Sequence, residues 1–189
     1  MPLLPAFRTA VAKAVSRFRR NQRGSAAVEF ALVAPLFFAL LFAIIETGMV
    51  FLASQSLETA LQDSARMIMT GQAQTSALTK ETFKKDVVCT HVSLLFDCTN
   101  GIYVDVQSYP SGFASVSISD PITSGNFVDN TKYSPGGPGD IVVVRLFYQW
   151  PLFVTGLGYN IANLSGSKRL LSATAAFKNE PYPVSPPSS

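Results

Sequence analysis

Two cysteines are the first candidates for chemistry in this sequence. Cys89 and Cys98 enclose eight residues, so one disulfide between them would close a short loop. Free thiols are an alternative, and a zinc site is another, although structural zinc takes four ligands and only His91 lies nearby. The spacing favours the disulfide if this part of the chain lies outside the cytoplasm, where disulfides persist.

Patterns that would indicate catalysis do not stand out. His91 is the single histidine, and the usual nucleophile, phosphate-loop, zinc-protease and dinucleotide motifs are missing from the sequence. The glycine-rich segment 134–140 lacks the Lys-Ser/Thr pair of a phosphate loop. We therefore expect a protein that is not an enzyme and that uses no cofactor and no metal. Tyr148, Trp150 and Phe153 form either an exposed recognition patch or ordinary packing beside a strand.

Glu29 is a further candidate because it is a carboxylate at the start of an apolar run. Residues 30–45 (FALVAPLFFALLFAII) contain no polar side chain. A carboxylate inside such a run costs a few kcal/mol unless it has a partner or lies at headgroup level. The apolar run alone does not decide whether Glu29 has a partner or lies at headgroup level. Glu46, at the far end of the run, is expected to be a solvated interfacial residue and not a functional one.

The apolar run is the element that positions Glu29. The chain is 48% hydrophobic and only 14% charged, and residues 26–53 hold much of that excess. This segment is long enough to cross a bilayer, which takes about 20 helical residues. Residues 1–24 carry six basic side chains and no acidic one, which favours a cytoplasmic N-terminus and an outer C-terminal domain. A cleaved secretory signal fits less well, because the run is too long and no A-x-A site follows it.

The junction in front of the run resembles the processing site of type IV prepilins and pseudopilins. Residues 23–30 read RGSAAVEF: a basic leader ends in glycine, four small or apolar residues follow, and then Glu29 and Phe30. Residues 23–71, and more patchily 140–153 and 169–182, are similar to the TadE-like family of the tight-adherence (Flp) pilus system. The resemblance implies cleavage between Gly24 and Ser25, which would leave Glu29 as the fifth residue of the mature chain.

The resemblance also implies a function, that of a minor pilin or pseudopilin needed for pilus assembly, surface adhesion and biofilm growth. The new amine of Ser25 and the Glu29 carboxylate of a neighbouring subunit would attract each other and set the register of stacked helices. Cleavage would change the side-chain charge from +3 to about −3. The implied partners are the bacterial inner membrane, a prepilin peptidase, other pilins and the assembly platform. The low net charge gives no reason to expect nucleic acid.

Two other readings stay open. One is an uncleaved single-pass protein whose outer domain binds a ligand or partner, and the other is a pseudopilin of type II secretion, which shares the same junction.

Pro35 lies inside the apolar helix and favours a kink there.

The expected fold class is α+β, with a long N-terminal helix packed on a small, mostly antiparallel sheet. One helix is expected from residue 25 to residue 70, because an apolar stripe continues beyond the membrane run and Gly71 suits a helix C-terminus. The stripe consists of Val50, Ala53, Leu57, Leu61, Ala65 and Ile68. The segments are a leader (1–24), a transmembrane helix (25–53), an amphipathic extension (54–71), a β-rich outer domain (72–178) and a Pro/Ser-rich tail (179–189).

Within the outer domain, alternation and turn residues predict the elements. We expect a short helix at 76–86, a β-hairpin from strands 102–107 and 113–118, and irregular structure at 120–139. Residues 141–150 begin with a continuous apolar run, which is typical of a central strand, and 169–177 is the expected last strand. The tail is expected to be disordered or extended.

Overall fold

The structure is a computed structural model that describes residues 24–92, 95–154, 156 and 159–183. The expected leader, apart from Gly24, and the last six residues lie outside this range. The chain divides into two compact units, Met1–Ile44 and Ile45–Ser189. Helix α1 (Ser25–Met69) contributes to both units and continues through Pro35.

In the first unit, α1 exposes nearly all of its side chains, although most of them are apolar. Leu32, Leu36, Phe37 and Ile44 are among the exposed ones. This part of α1 is long and apolar enough to cross a membrane. A soluble protein would rarely leave so much contiguous apolar surface in water, so this surface is suited to lipid or to other helices.

In the second unit, α1 becomes amphipathic as expected. All six residues of the apolar stripe from Val50 to Ile68 are buried. The helix ends at Met69, and Gly71 follows with a φ of +78° and its N–H bonded to the carbonyl of Ile68. The left-handed conformation is one that glycine adopts easily, which confirms the expected C-terminus.

Short helices lie between α1 and the sheet. They are α2 (Gln72–Thr75), α3 (Lys80–Thr82), which continues as a π-helical turn (Phe83–Val88), and α4 (Cys89–His91), followed after a short connection by α5 (Cys98–Gly101). The expected helix at 76–86 is therefore misplaced. Thr79 caps α3 through a reciprocal hydrogen-bond pair with Thr82, which fixes the start at Lys80.

The main sheet has three antiparallel strands in the order β1-β4-β5. They are β1 (Ile102–Tyr109), β4 (Ile141–Pro151) and β5 (Lys168–Lys178), and a separate two-stranded ribbon joins β2 (Ile122–Thr123) to β3 (Asn126–Phe127). Strand β4 is central, and its first seven residues are buried. The expected strands at 141–150 and 169–177 and the α+β class are confirmed.

The expected hairpin of 102–107 with 113–118 is wrong. Strand β1 pairs with β4 instead, and Phe113–Ser115 forms a 3₁₀ turn. On its other edge, Val106 exchanges backbone hydrogen bonds with Lys132 and Ser134. Burial distinguishes the two segments, because Val104 and Val106 are buried in the core, whereas Phe113 and Ile118 stay exposed.

Both faces of the sheet are covered within the second unit. On one face, the stripe of α1 and Phe83 of the π-helical turn form the main core with Val104 and Val144. On the other face, Phe147, Leu164 and Leu170 form a smaller cluster against which Tyr103 and Phe127 pack.

The first part of the expected tail is packed and not disordered. Asn179 is buried, and its side chain donates hydrogen bonds to the carbonyls of Pro135 and Gly137. The Glu180 N–H donates to the Met69 carbonyl at the end of α1. These bonds hold residues 179–180 against the end of the helix, so the structured domain extends beyond the expected limit at 178.

Candidate functional site

The processing junction predicted from the sequence coincides with the start of α1. The helix begins at Ser25, immediately after Gly24. Among the residues that the structure describes, apart from the chain neighbours of Gly24, none lies within 4 Å of a Cβ atom placed on this glycine. Cleavage after Gly24 would place the new amine at the first residue of α1.

Glu29 lies one helical turn after Ser25 and is exposed. Residues four apart share a helix face, so the nitrogen of Ser25 and the carboxylate of Glu29 belong to one side of α1. Phe30, the next residue, is exposed as well. The first turn of α1 holds no acidic side chain, which leaves Glu29 as the first carboxylate that a new amine would meet. The pairing itself stays a prediction.

Glu46 corrects one of the sequence expectations. Its side chain is only 7% exposed, so it is not a solvated interfacial residue. Its carboxylate accepts hydrogen bonds from the backbone N–H groups of Phe153 and Val154, the latter at 3.2 Å from each oxygen. Hydrogen bonds of a carboxylate to backbone N–H groups are among the stronger ones in proteins, so Glu46 holds the chain that follows β4 against α1.

A second bond reinforces this contact. The hydroxyl of Thr47 is hydrogen-bonded to the hydroxyl of Tyr159. Neighbouring residues of α1 therefore bind the β4–β5 loop (residues 152–167) at two points. Sequence reasoning missed this loop contact, because the partners of Glu46 are backbone groups more than 100 positions away.

The aromatic residues at the end of β4 were expected either to form an exposed patch or to pack beside the strand, and the structure shows both kinds. Tyr148 and Trp150 pack edge-to-face and tilted against Phe96 and each other, with ring centroids 4.8–6.2 Å apart. They contribute to the core, as the packing alternative expected. Phe153 is different, because 86% of its side chain is exposed directly beside the Glu46 contact.

The second unit contains a buried ion pair that the sequence analysis did not identify. Asp105 on β1 and Arg145 on β4 are register partners, and the Asp105 carboxylate lies 2.6 Å from Nη2 and 2.9 Å from Nε of Arg145. The N–H of Lys132 also donates to Asp105, and Arg145 donates to the carbonyl of Ser119. The pair therefore joins two strands to two stretches of loop.

Cys89 and Cys98 form a disulfide, which confirms the pairing expected from their spacing. It links α4 to the start of α5. Beside it, Nδ1 of His91 lies 3.3 Å from Oδ2 of Asp63 on α1, and both side chains are about half exposed. The bridge and this contact hold the short helices near the outer part of α1.

Burial affects the chemistry of one further group in the second unit. The hydroxyl of Tyr133 is buried and has no hydrogen-bond partner among the described residues. Desolvation raises the pKa of Tyr133 to about 12, because the charged phenolate is disfavoured away from water. The ring packs 5.5 Å from that of Phe83, so this residue acts in packing.

Comparison with known proteins gives one match. A family model described as a TadE-like protein matches residues 24–66, from the processing junction almost to the end of α1. No curated protein and no solved structure matches the chain. The match confirms the resemblance in this segment, which is less than a quarter of the chain. The family is a structural, pilus-associated one and not a family of enzymes.

Proposed function

We propose that this TadE-like chain is a processed minor pilin or pseudopilin that assists assembly of the tight-adherence (Flp-type) pilus. The observation that carries the proposal is the family match over residues 24–66. The match begins at Gly24 and includes Ser25, Glu29 and the exposed apolar part of α1. One cut at this place would convert a leader-bearing precursor into a subunit that starts with a helix.

The proposed topology places residues 1–24 in the cytoplasm as a leader that is removed. Residues 25–53 would then cross the inner membrane, residues 54–71 would continue the helix outside, and residues 72–178 would form the periplasmic domain. The disulfide supports this arrangement, because such bridges persist in oxidising compartments. Adhesion and biofilm growth would follow from pilus assembly, and the partners would be a prepilin peptidase, other pilins and the assembly platform.

The exposed apolar surface of α1 in the first unit has two successive uses in this scheme. Before assembly it faces lipid, and after assembly it packs against helices of other subunits. A carboxylate in such surroundings is costly unless it is paired, so the attraction between Glu29 and an amine at Ser25 would favour one register among many. The local backbone of Pro35 would allow the helix to bend during this transfer.

The first experiment is N-terminal sequencing of the protein extracted from membranes of cells that express a prepilin peptidase. A mature chain beginning at Ser25 is expected. Gly24→Val should block cleavage, whereas Gly48→Val is the matched control, because both glycines have open space around the Cβ position. An intact leader in the unaltered protein would refute the proposal and favour an uncleaved single-pass protein.

The second experiment separates membrane insertion from assembly. Glu29→Gln keeps the size of the side chain and removes its charge, so we expect normal insertion but loss of pili in a strain that lacks the unaltered gene. Glu81→Gln is the control, since this exposed carboxylate lies on α3 in the second unit. Normal piliation with Glu29→Gln would remove the pairing argument. Loss of type II secretion instead of pili would assign the chain to that system.

A further inference from the structure

The β4–β5 loop (residues 152–167) combines three properties that the proposed function does not use. It contains no charged residue, it is bound to α1 through Glu46 and Thr47, and it carries Phe153 in an exposed position. At 86%, Phe153 is more exposed than any other large apolar side chain in the described part of the chain. A single exposed phenylalanine is common on protein surfaces, so a partner for Phe153 is indicated only by where this residue lies along α1.

The position of Glu46 on α1 indicates what the β4–β5 loop contacts around Phe153. The proposed span 25–53 is longer than the roughly 20 helical residues that cross a bilayer core. Residues 26–45, in which Glu29 is the single charged side chain, supply that length, and Glu46 is the next residue. The backbone N–H of Phe153 is bonded directly to the Glu46 carboxylate. If α1 spans the membrane, Phe153 lies at the level where the hydrocarbon ends.

The surroundings of Glu46 fit this boundary. Met49, Phe51 and Leu52, the next turn of α1, still expose part or most of their side chains. Tyr159, which is bonded to Thr47, is of a type enriched where hydrocarbon meets headgroups. Two backbone N–H groups take the place of water around the Glu46 carboxylate, which allows a charge to sit in this position.

We propose that the β4–β5 loop is a membrane-surface anchor, in which Glu46 positions the loop so that Phe153 enters the outer-leaflet boundary between headgroups and acyl chains. The proposal rests on the proposed membrane span of α1. The occupant of this surface is therefore lipid while the subunit is in the membrane. Glu46 acts as a positioning residue, because it touches the backbone of the loop and fixes its place along α1.

The test uses the full chain in vesicles of phosphatidylethanolamine and phosphatidylglycerol, with or without bromine atoms on the acyl chains near the headgroup. Phe153→Trp is the probe, and the signal of the unaltered protein, which contains only Trp150, is subtracted. Phe113→Trp is the matched control. It is also exposed, but it follows the end of β1 that pairs with the start of β4, about 30 Å along the sheet from Phe153.

Bromine should quench Phe153→Trp about twofold more than Phe113→Trp, because indole rings prefer the interface. Adding Glu46→Ala to the probe should reduce this quenching and shift its emission to the red, whereas adding Glu58→Ala, on the same helix, should not. Glu46→Gln serves as a second variant, and circular dichroism checks that each protein is folded. Unchanged quenching in both folded Glu46 variants would overturn its positioning role.

Phe42→Trp, within the apolar run, distinguishes failure of the anchor from failure of the span. Quenching of Phe42→Trp without quenching of Phe153→Trp would overturn the anchor and leave the membrane helix intact. Loss of both signals would overturn the span on which the anchor rests. A Phe153→Trp emission that shifts to the blue only with rising protein concentration would show that a second copy, and not lipid, covers the loop, which also overturns the proposal.

Discussion

Replacing Asp105 by Asn tests the buried ion pair between β1 and β4 most directly. Asp105 is fully buried and Arg145 is 6% exposed, so neither can be solvated in place of its partner. Asn keeps the shape of the side chain but removes its charge. The substitution leaves the guanidinium of Arg145 in the protein interior without a counter-charge. The neutral amide oxygen of Asn, the Ser119 carbonyl and the ring of Phe147, 5.2 Å away, compensate it only in part.

The expected cost follows from these surroundings. Removing one partner of a buried pair destabilises proteins by about 3–5 kcal/mol, because the remaining charge is uncompensated. The bonds that Asp105 accepts from Gln107 and from the Lys132 N–H are weakened as well. For a unit the size of Ile45–Ser189, each kcal/mol lowers the Tm by about 3 °C, so we expect a decrease of about 9–15 °C.

The assay is thermal unfolding of the full chain in detergent, followed by circular dichroism in the near ultraviolet, which reports packing around Trp150 and the tyrosines. The double variant Asp105→Leu/Arg145→Met is the control. It removes both charges and should recover more than half of the lost stability, because no charge is left buried. A decrease of less than about 3 °C for Asp105→Asn would refute the reasoning, since it would mean that water or another group solvates Arg145.

Three further changes have defined outcomes. Replacing Cys89 and Cys98 by Ser should cost about 3 kcal/mol by loop entropy, and dithiothreitol should lower the Tm of the unaltered protein but not that of the variant. Gly71→Ala should lower the free energy of unfolding by about 1–3 kcal/mol, because φ is +78° and the new Cβ would lie 2.3 Å from the ring of Tyr182. Adding Tyr182→Ala should recover part of this stability in the same melts. Burial raises the pKa of Tyr133 to about 12 from about 10 in the unfolded chain, so stability should fall as pH rises through this interval. Tyr133→Phe should make that slope shallower in alkaline melts, and the part that remains is expected from Tyr182, whose pKa is also raised by burial.

The elements that could be predicted from the sequence are those whose pattern is local. The stripe of α1 has helical spacing from Val50 to Ile68, and Gly71 ends it with a conformation that few other residues adopt. The first residues of β4 are continuously apolar, which is typical of a central strand. These features need no knowledge of distant residues.

The hairpin was mispredicted because its evidence was also local. The segment Tyr109–Gly112 has the composition of a turn, but the partner of β1 is chosen by burial of Val104 and Val106 against the core. The ion pair could not be predicted without the pairing of β1 with β4. Asp105 and Arg145 are 40 positions apart in the sequence, and only this pairing places them opposite each other. In the candidate site, the junction at Gly24 has a sequence signature, whereas the Glu46 contact has none, because backbone N–H groups occur at every residue but proline.

The order in which the chain is made has a consequence for the stripe of α1. The residues that bury it belong partly to β1 and β4, and the bond that closes the end of the helix comes from Glu180. At 5–20 residues per second, the roughly 110 residues between Ile68 and Lys178 take about 5–20 s to synthesise. During that time the nascent chain carries the uncovered apolar stripe on a finished helix, so a holding chaperone or early contact with another subunit would act in this interval.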